Sequence, residues 1–273
     1  VTVMGRPVSI RIGEIDLLPI VDGVAHEPLS EVVAHDVGAD WCCPGHPVDA
    51  DGRIELGLGG YLVRTGDRIV LVDAGMGQVD KPSVQAGGLL GGLRAAGVEP
   101  TDVTDVLFTH LHWDHVGWST QQGEVIFTRA THRVHAADWE YFVSGPLAVP
   151  GAVRKLSPLQ ERIEPFDTET ELVPGIVARP APGHTPGSTI FVVAGGGERA
   201  LLLGDVVHAI GELTDPQWHG LYDLDPVGAR EVRDRLADEA LDSAALVAAG
   251  HFPGLGLGRL VTAAGGRRFV PVT

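Results

Sequence analysis

The sequence predicts a single layered α/β domain, on three observations. Short apolar strands, each ending in a polar loop, recur along all 273 residues and are interleaved with a few helices. The 37 glycines and 19 prolines are spread as turn punctuation, so nothing reads as a linker. At 44% hydrophobic and 21% charged residues, the chain carries enough apolar material for a substantial core and is not of disordered composition. One domain over residues 1–273 is expected, with residues 1–50 a candidate N-terminal arm.

Residues 54–64, 68–73, 105–109, 176–179, 189–193, 200–204 and 245–249 read as strands, being short apolar runs bounded by turn residues. Residues 259–262 and 267–272, joined across Gly265-Gly266, read as a closing hairpin. Asp225-Pro226 opens a helix whose buried stripe is Val232, Leu236 and Ala240, at i, i+4 and i+8. Residues 83–96 predict a second helix, which Gly97 is placed to end. Residues 136–143 predict a third, with Trp139, Phe142 and Val143 on one side. The segments 68–73 and 199–205 share a strand-then-Asp shape, a hint of two similar halves.

Charge removes several function classes. Lys and Arg number 20 against 36 Asp and Glu, a net −16, and a field of that sign repels phosphate backbones and anionic lipid. Nucleic-acid and membrane partners are therefore not expected. No apolar run has the length of a membrane span, and the first 25 residues lack a signal peptide's layout. A soluble, cytoplasmic protein is expected. The two cysteines are adjacent, Cys42-Cys43, too close to bridge without distorting the peptide between them, and are read as structural or incidental.

The chemistry is concentrated in His110-Leu111-His112-Trp113-Asp114-His115. The strand-like Asp105-Val106-Leu107-Phe108 precedes it, so these side chains stand on the loop at a strand's C-terminal edge, where α/β folds build their sites. Three imidazoles and a carboxylate supply the nitrogen and oxygen ligands that zinc accepts. The i, i+2 spacing aims His110 and His112 to one side, while Asp114 and His115 can face a second position. His184, Asp205 and His251 each stand on a later loop beside a glycine. Five His and two Asp are enough for two metals.

The order His-x-His-x-Asp-His, then His184, Asp205 and His251, resembles the metallo-β-lactamase superfamily in its dinuclear form. Leu71-Val72-Asp73-Ala74-Gly75 is similar to that family's early motif, and the resemblance runs from about Gly60 to His251. It implies an αββα sandwich with two Zn²⁺ at one edge, with Mn, Fe or Co as options. His110, His112 and His184 would hold one metal and Asp114, His115 and His251 the other, with Asp205 bridging. Asp73 would orient a ligand histidine. The segments Gly204-Asp205-Val206-Val207-His208, Asp215-Pro216-Gln217-Trp218 and Gly250-His251-Phe252-Pro253-Gly254 look like the methyl parathion hydrolase-like branch, near the quorum-quenching acyl-homoserine lactonases. Lactonases of that kind carry Tyr three residues after the bridging Asp, where this chain has His208.

The implied activity is hydrolysis of a small, fairly apolar ester, lactone or phosphotriester by a hydroxide shared between the two metals. Asp114, Asp205 and His208 are the candidate catalytic residues, with His208 a proton donor or oxyanion contact. Trp113, Trp118, Trp218, Tyr222 and Phe252 are candidate walls of an apolar substrate pocket. A thioesterase like glyoxalase II shares the ligand pattern but needs a cationic pocket, for which Arg259, Arg267 and Arg268 are the clustered basics. An iron persulfide dioxygenase, an oxidoreductase on the same scaffold, uses only two His and one Asp and would leave four of these ligands idle. Relatives in this branch often dimerise, which makes a homodimer an option.

Overall fold

A computed structural model describes residues 9–38 and 46–272. The pair Cys42-Cys43 lies outside the described residues. Among these residues two large sheets, of nine and seven strands, form the frame. The first runs Ile163–Phe166, Thr131–His135, Asp105–Leu107, Arg68–Val72, Arg53–Thr65, Ile15–Pro28, Val84–Ala86 and Val79–Lys81, with Ile10–Ile12 also on Ile15–Pro28. The second runs Thr170–Val173, Ile176–Pro180, Thr189–Gly195, Glu198–Leu202, Leu246–Ala248, Gly258–Ala263 and Gly266–Pro271.

The apolar runs explain why the sheets stack. Along Arg68–Val72, Val70 and Val72 join a core shared with Phe191, Val193 and Leu202 of the second sheet. Leu71, on the opposite face, joins Phe108, Leu89, Leu93 and Leu156. In the second sheet, Ala200 and Leu202 face inward while Leu201 packs with Val232, Leu236 and Ala240 of helix Pro226–Ser243. A strand buried on both faces must be apolar at every position, so these segments read as continuous runs rather than alternations. The result is four layers, helices outside and two sheets within, the expected αββα sandwich.

The expected strands and the closing hairpin are present. Helix Pro226–Ser243 begins as expected, with the Asp225 carboxylate accepting the Gly228 N–H and Pro226 in the first turn. Residues 83–96 are a correction. Val84–Ala86 form a strand, and the helix covers only Leu89–Ala95. Gly87 lies between them at φ +140°, a conformation no helix contains, and Gly97 at φ +75° ends the short helix. The expected helix over 136–143 divides into an α-helical turn, Ala136–Trp139, and a wider π-type turn, Glu140–Ser144. Of the first 50 residues, Ile15–Pro28 lie within the first sheet and pair along Arg53–Thr65. No helix among the described residues is long and apolar enough to cross a membrane.

Candidate metal centre

The seven ligand-type residues arrive on loops that leave strand ends. His110 to His115 follow Asp105–Leu107, His184 follows Ile176–Pro180, Asp205 follows Glu198–Leu202 and His251 follows Leu246–Ala248. Within each sheet these strands run parallel, directly or through an intervening antiparallel strand, so their C-terminal ends meet at one edge. Two glycines allow the loops to close on each other. Gly204 has φ +53°, and a Cβ there would meet Thr109 at 2.6 Å. A Cβ on Gly250 would lie 2.8 Å from Asp205 Oδ1 and 2.9 Å from His115 Cε1, filling the space between two candidate ligands.

Two groups result, each able to hold a divalent cation: His110, His112, His184 and Asp205, and Asp114, His115, Asp205 and His251. Asp205 belongs to both. In the first, His112 Nδ1 is 3.0 Å from both His110 Nε2 and His184 Nε2. One N–H cannot serve both neighbours, whereas a cation at the centre would satisfy all three nitrogens. In the second, His115 Nε2 lies 3.1 Å from Asp205 Oδ1, and His251 Nε2 lies 3.0 Å from Asp205 Oδ2 and 3.5 Å from Asp114 Oδ2. His115 Nε2 and Asp205 Oδ1 are buried and without hydrogen-bond partners among the described residues. No Lys or Arg among the described residues pairs with Asp73, Asp114 or Asp205. Buried, imidazole-and-carboxylate donors with that excess of negative charge fit divalent metal ions.

The histidines are aimed by their second ring nitrogens. His115 Nδ1 is 2.8 Å from Asp73 Oδ2, His251 Nδ1 is 3.0 Å from the Gly57 carbonyl, and His184 Nδ1 is 3.3 Å from Asp223 Oδ1. A ring held this way presents Nε2 to the centre. Asp73 sits at φ +61°, strained for a residue with a side chain, and is fixed there by the Thr109 N–H and hydroxyl. Its contact with His115 Nδ1 is the one through which it could orient that ring.

Protonation divides along the same lines. Burial and the neighbouring His115 push His110 well down, and burial and His184 bring His112 to about 4. Burial also opposes charge on His115 and His251, yet Asp205 and its neighbours outweigh it, raising His115 well up and His251 to about 9. The carboxylates thus draw protons where a metal would supply the positive charge.

His208 is buried, its Nε2 3.9 Å from Asp205 Oδ2 and its ring parallel to His251 at 5.8 Å. Burial pushes it down to about 3, so it is neutral at ordinary pH. The Tyr222 ring lies 5.9 Å from it and is half exposed. The other aromatics scatter. Trp113 is 75% exposed, turned to solvent from within the ligand loop. Trp118 is a core residue instead of a pocket wall, its indole N–H donating to Asp22 at 2.8 Å. Phe252 is likewise core, packed edge-on against Phe269. Trp218 packs against His35 and the cluster around Ile54.

A model of the metallo-beta-lactamase superfamily matches residues 60–251, the span that carries all seven residues. The chain belongs to the metallo-beta-lactamase superfamily. Within that superfamily it is similar to an N-acyl homoserine lactonase from a Bacillus species, 27% identical over 159 residues. That match covers 51% of this chain and 59% of the lactonase, so the chain spans little more than half the length of this curated relative. Two solved structures share the fold over nearly their whole length. AidC, a dizinc quorum-quenching lactonase in complex with a product, is 24% identical, with a TM-score of 0.82 over 98% of this chain and 97% of its own. AbOPH, a hydrolase in the beta lactamase superfamily, is 22% identical, with a TM-score of 0.83 over 99% and 98%.

Sequence reasoning missed three residues behind the centre: Asp223, Glu212 and Arg233. Arg233 offered a signal, because it stands between Val232 and Leu236 on the face of helix Pro226–Ser243 that is buried. A charged residue on such a stripe needs buried partners.

Proposed function

We propose that this chain is a dinuclear zinc hydrolase of small, fairly apolar esters, lactones or phosphotriesters, with an acyl-homoserine lactone as the first substrate to test. The observation that carries the reading is the pair of four-residue groups sharing Asp205. The lactonase among the sequence relatives and the dizinc lactonase and hydrolase among the structural ones support the same chemistry. A bound metal pair would lower the pKa of water and polarise the substrate's carbonyl or phosphoryl oxygen.

The chain's own residues supply the rest. His110, His112 and His184 would hold one ion, Asp114, His115 and His251 the second, and Asp205 both. Asp73 fixes the direction of His115. Asp205 would act by holding both ions, Asp114 beside it is the candidate to receive a proton from the attacking water, and neutral His208 is the candidate donor to an oxygen beside Asp205. Trp113 and Tyr222, both exposed, form the apolar rim. For the thioesterase reading, Arg259 and Arg267 are engaged elsewhere, bonded to the Ala244 carbonyl and to Asp238, residues outside the two ligand groups.

The test is proton release from a long-chain homoserine lactone by the zinc-loaded protein, with a chelator-stripped sample as control. Rapid, chelator-sensitive release is expected. A sample that holds two zinc ions and is silent on the lactone, on aryl phosphotriesters and on aryl esters would overturn the substrate class.

A further inference from the structure

Arg233 is buried at 1% exposure beneath the metal centre. Its Nε donates to the Val206 carbonyl at 2.8 Å, and its Nη2 lies 3.0 Å from Asp223 Oδ2 and 3.1 Å from Glu212 Oε1. Each of these contacts is one step from the centre. Val206 follows Asp205 in the chain. Asp223 turns its other oxygen to His184 Nδ1. The second oxygen of Glu212 accepts the backbone N–H of His208 at 2.7 Å and of Ala209 at 2.9 Å.

We propose that Arg233, with Asp223 and Glu212, is a positioning device that fixes the His184 ring and the His208 turn, and thereby sets zinc affinity at one of the two sites only. The inference rests on the dinuclear reading above. Two buried carboxylates side by side repel and splay apart unless a cation holds both. A guanidinium does so in a fixed plane while its Nε reaches a carbonyl. An ammonium on a flexible stem is a single point of charge and cannot keep all three contacts. The ligand histidine that the device touches is His184, which belongs to one half of the centre. Asp73 aims His115 and the Gly57 carbonyl aims His251, so the site of Asp114, His115 and His251 has its own supports.

The experiment compares the chelator-stripped full chain with Arg233→Lys, Asp223→Asn and Asp73→Asn. Zinc affinity at each site is read by competition with a chromophoric chelator, and the cobalt(II) form by its visible absorption. Asp223→Asn is nearly isosteric and guards against loss of folding in the arginine variant. Arg233→Lys and Asp223→Asn are expected to weaken one site about 10–100-fold, leave the other unchanged and alter the cobalt spectrum. Asp73→Asn is expected to weaken the complementary site. Two wild-type affinities in both variants, or an equal loss at both sites in step with a lowered melting temperature, would overturn the inference alone. A wild-type chain that takes up fewer than two zinc ions would overturn the dinuclear reading and this inference with it.

Discussion

His132 should make the protein acid-labile, and replacing it with Phe should remove that lability. The residue lies in strand Thr131–His135 with no exposed surface, its ring stacked 6.1 Å from Phe108. Burial, reinforced by Arg162, pushes its pKa from 6.5 down to about 4, and the Ala130 backbone offsets only a part. The folded state therefore takes up its proton later than the unfolded state. The stability tied to this neutral ring is complete above pH 6.5 and is lost as pH falls towards 4. At about 1.4 kcal/mol per unit, the loss is about 2 kcal/mol near pH 5 and about 3 kcal/mol at the acid limit. Phe has no proton to gain, and any overpacking penalty of about 1–3 kcal/mol does not depend on pH. Urea unfolding of chelator-stripped wild-type protein and His132→Phe, near pH 7.5 and near pH 5, isolates the difference. Every other residue is the same in both proteins, so its contribution cancels. The variant is expected to gain about 2 kcal/mol relative to wild type on acidification. Parallel profiles, within about 0.5 kcal/mol of each other, would refute the reasoning.

Asp105 has the opposite chemistry. Burial disfavours its charge, but Arg68, Thr104 and Arg133 outweigh that and hold its pKa below 3.8, so its contribution is present above the carboxylate range and lost as pH falls through the depressed value. Asp105→Asn should lower stability by about 3 kcal/mol at neutral pH, somewhat moderated because Arg68 is a third exposed, and denaturant melts should show the deficit closing in strong acid. Trp113→Ala should leave stability within about 0.5 kcal/mol, since the indole is 75% exposed, yet raise KM for a long-chain lactone several-fold over a short-chain one. Equal KM changes for both chain lengths would remove Trp113 from the apolar rim.

The candidate ligands were legible because their chemistry is carried by residue type and short spacing. Imidazoles at 110, 112 and 115 with Asp114 form one local word, and the later ligands each stand at the end of an apolar run. The central strands were legible for a related reason, since burial on both faces leaves few polar residues in them. Ile15–Pro28 was harder to see, because it mixes Asp16, Asp22 and His26 with its apolar residues. Asp22 is tolerated there only because the Met76, Gly77, Gly87 and Leu89 N–H groups and the Trp118 indole all donate to it. Those donors lie 54 to 96 residues away along the chain. Two of the expected pocket aromatics, Trp118 and Phe252, are core residues instead, and the sequence lacked the direction that would have said so. Proximity in sequence to a metal loop does not say which way a ring turns, and Trp118 turns into the core.

The buried carboxylates, sorted by what neutralises them, separate structure from chemistry. Asp22 is satisfied by N–H donors, and Asp138 by the Leu111 and Gly187 N–H groups and the Thr185 hydroxyl, with burial raising its pKa to about 6. Asp105, Asp223 and Glu212 face guanidinium groups. Asp73, Asp114 and Asp205 face histidines, which carry positive charge only when protonated. A chain with 20 basic residues could have placed one here, as it did at Asp105. An arginine beside Asp205 would satisfy the carboxylate and close the site to any other cation. Its absence among the described residues leaves negative charge, in a buried ring of imidazoles, that a metal pair is suited to balance. Arg233 meets the nearest surplus carboxylates, Asp223 and Glu212, from behind, so the charge at Asp73, Asp114 and Asp205 is what remains for the proposed ions to balance.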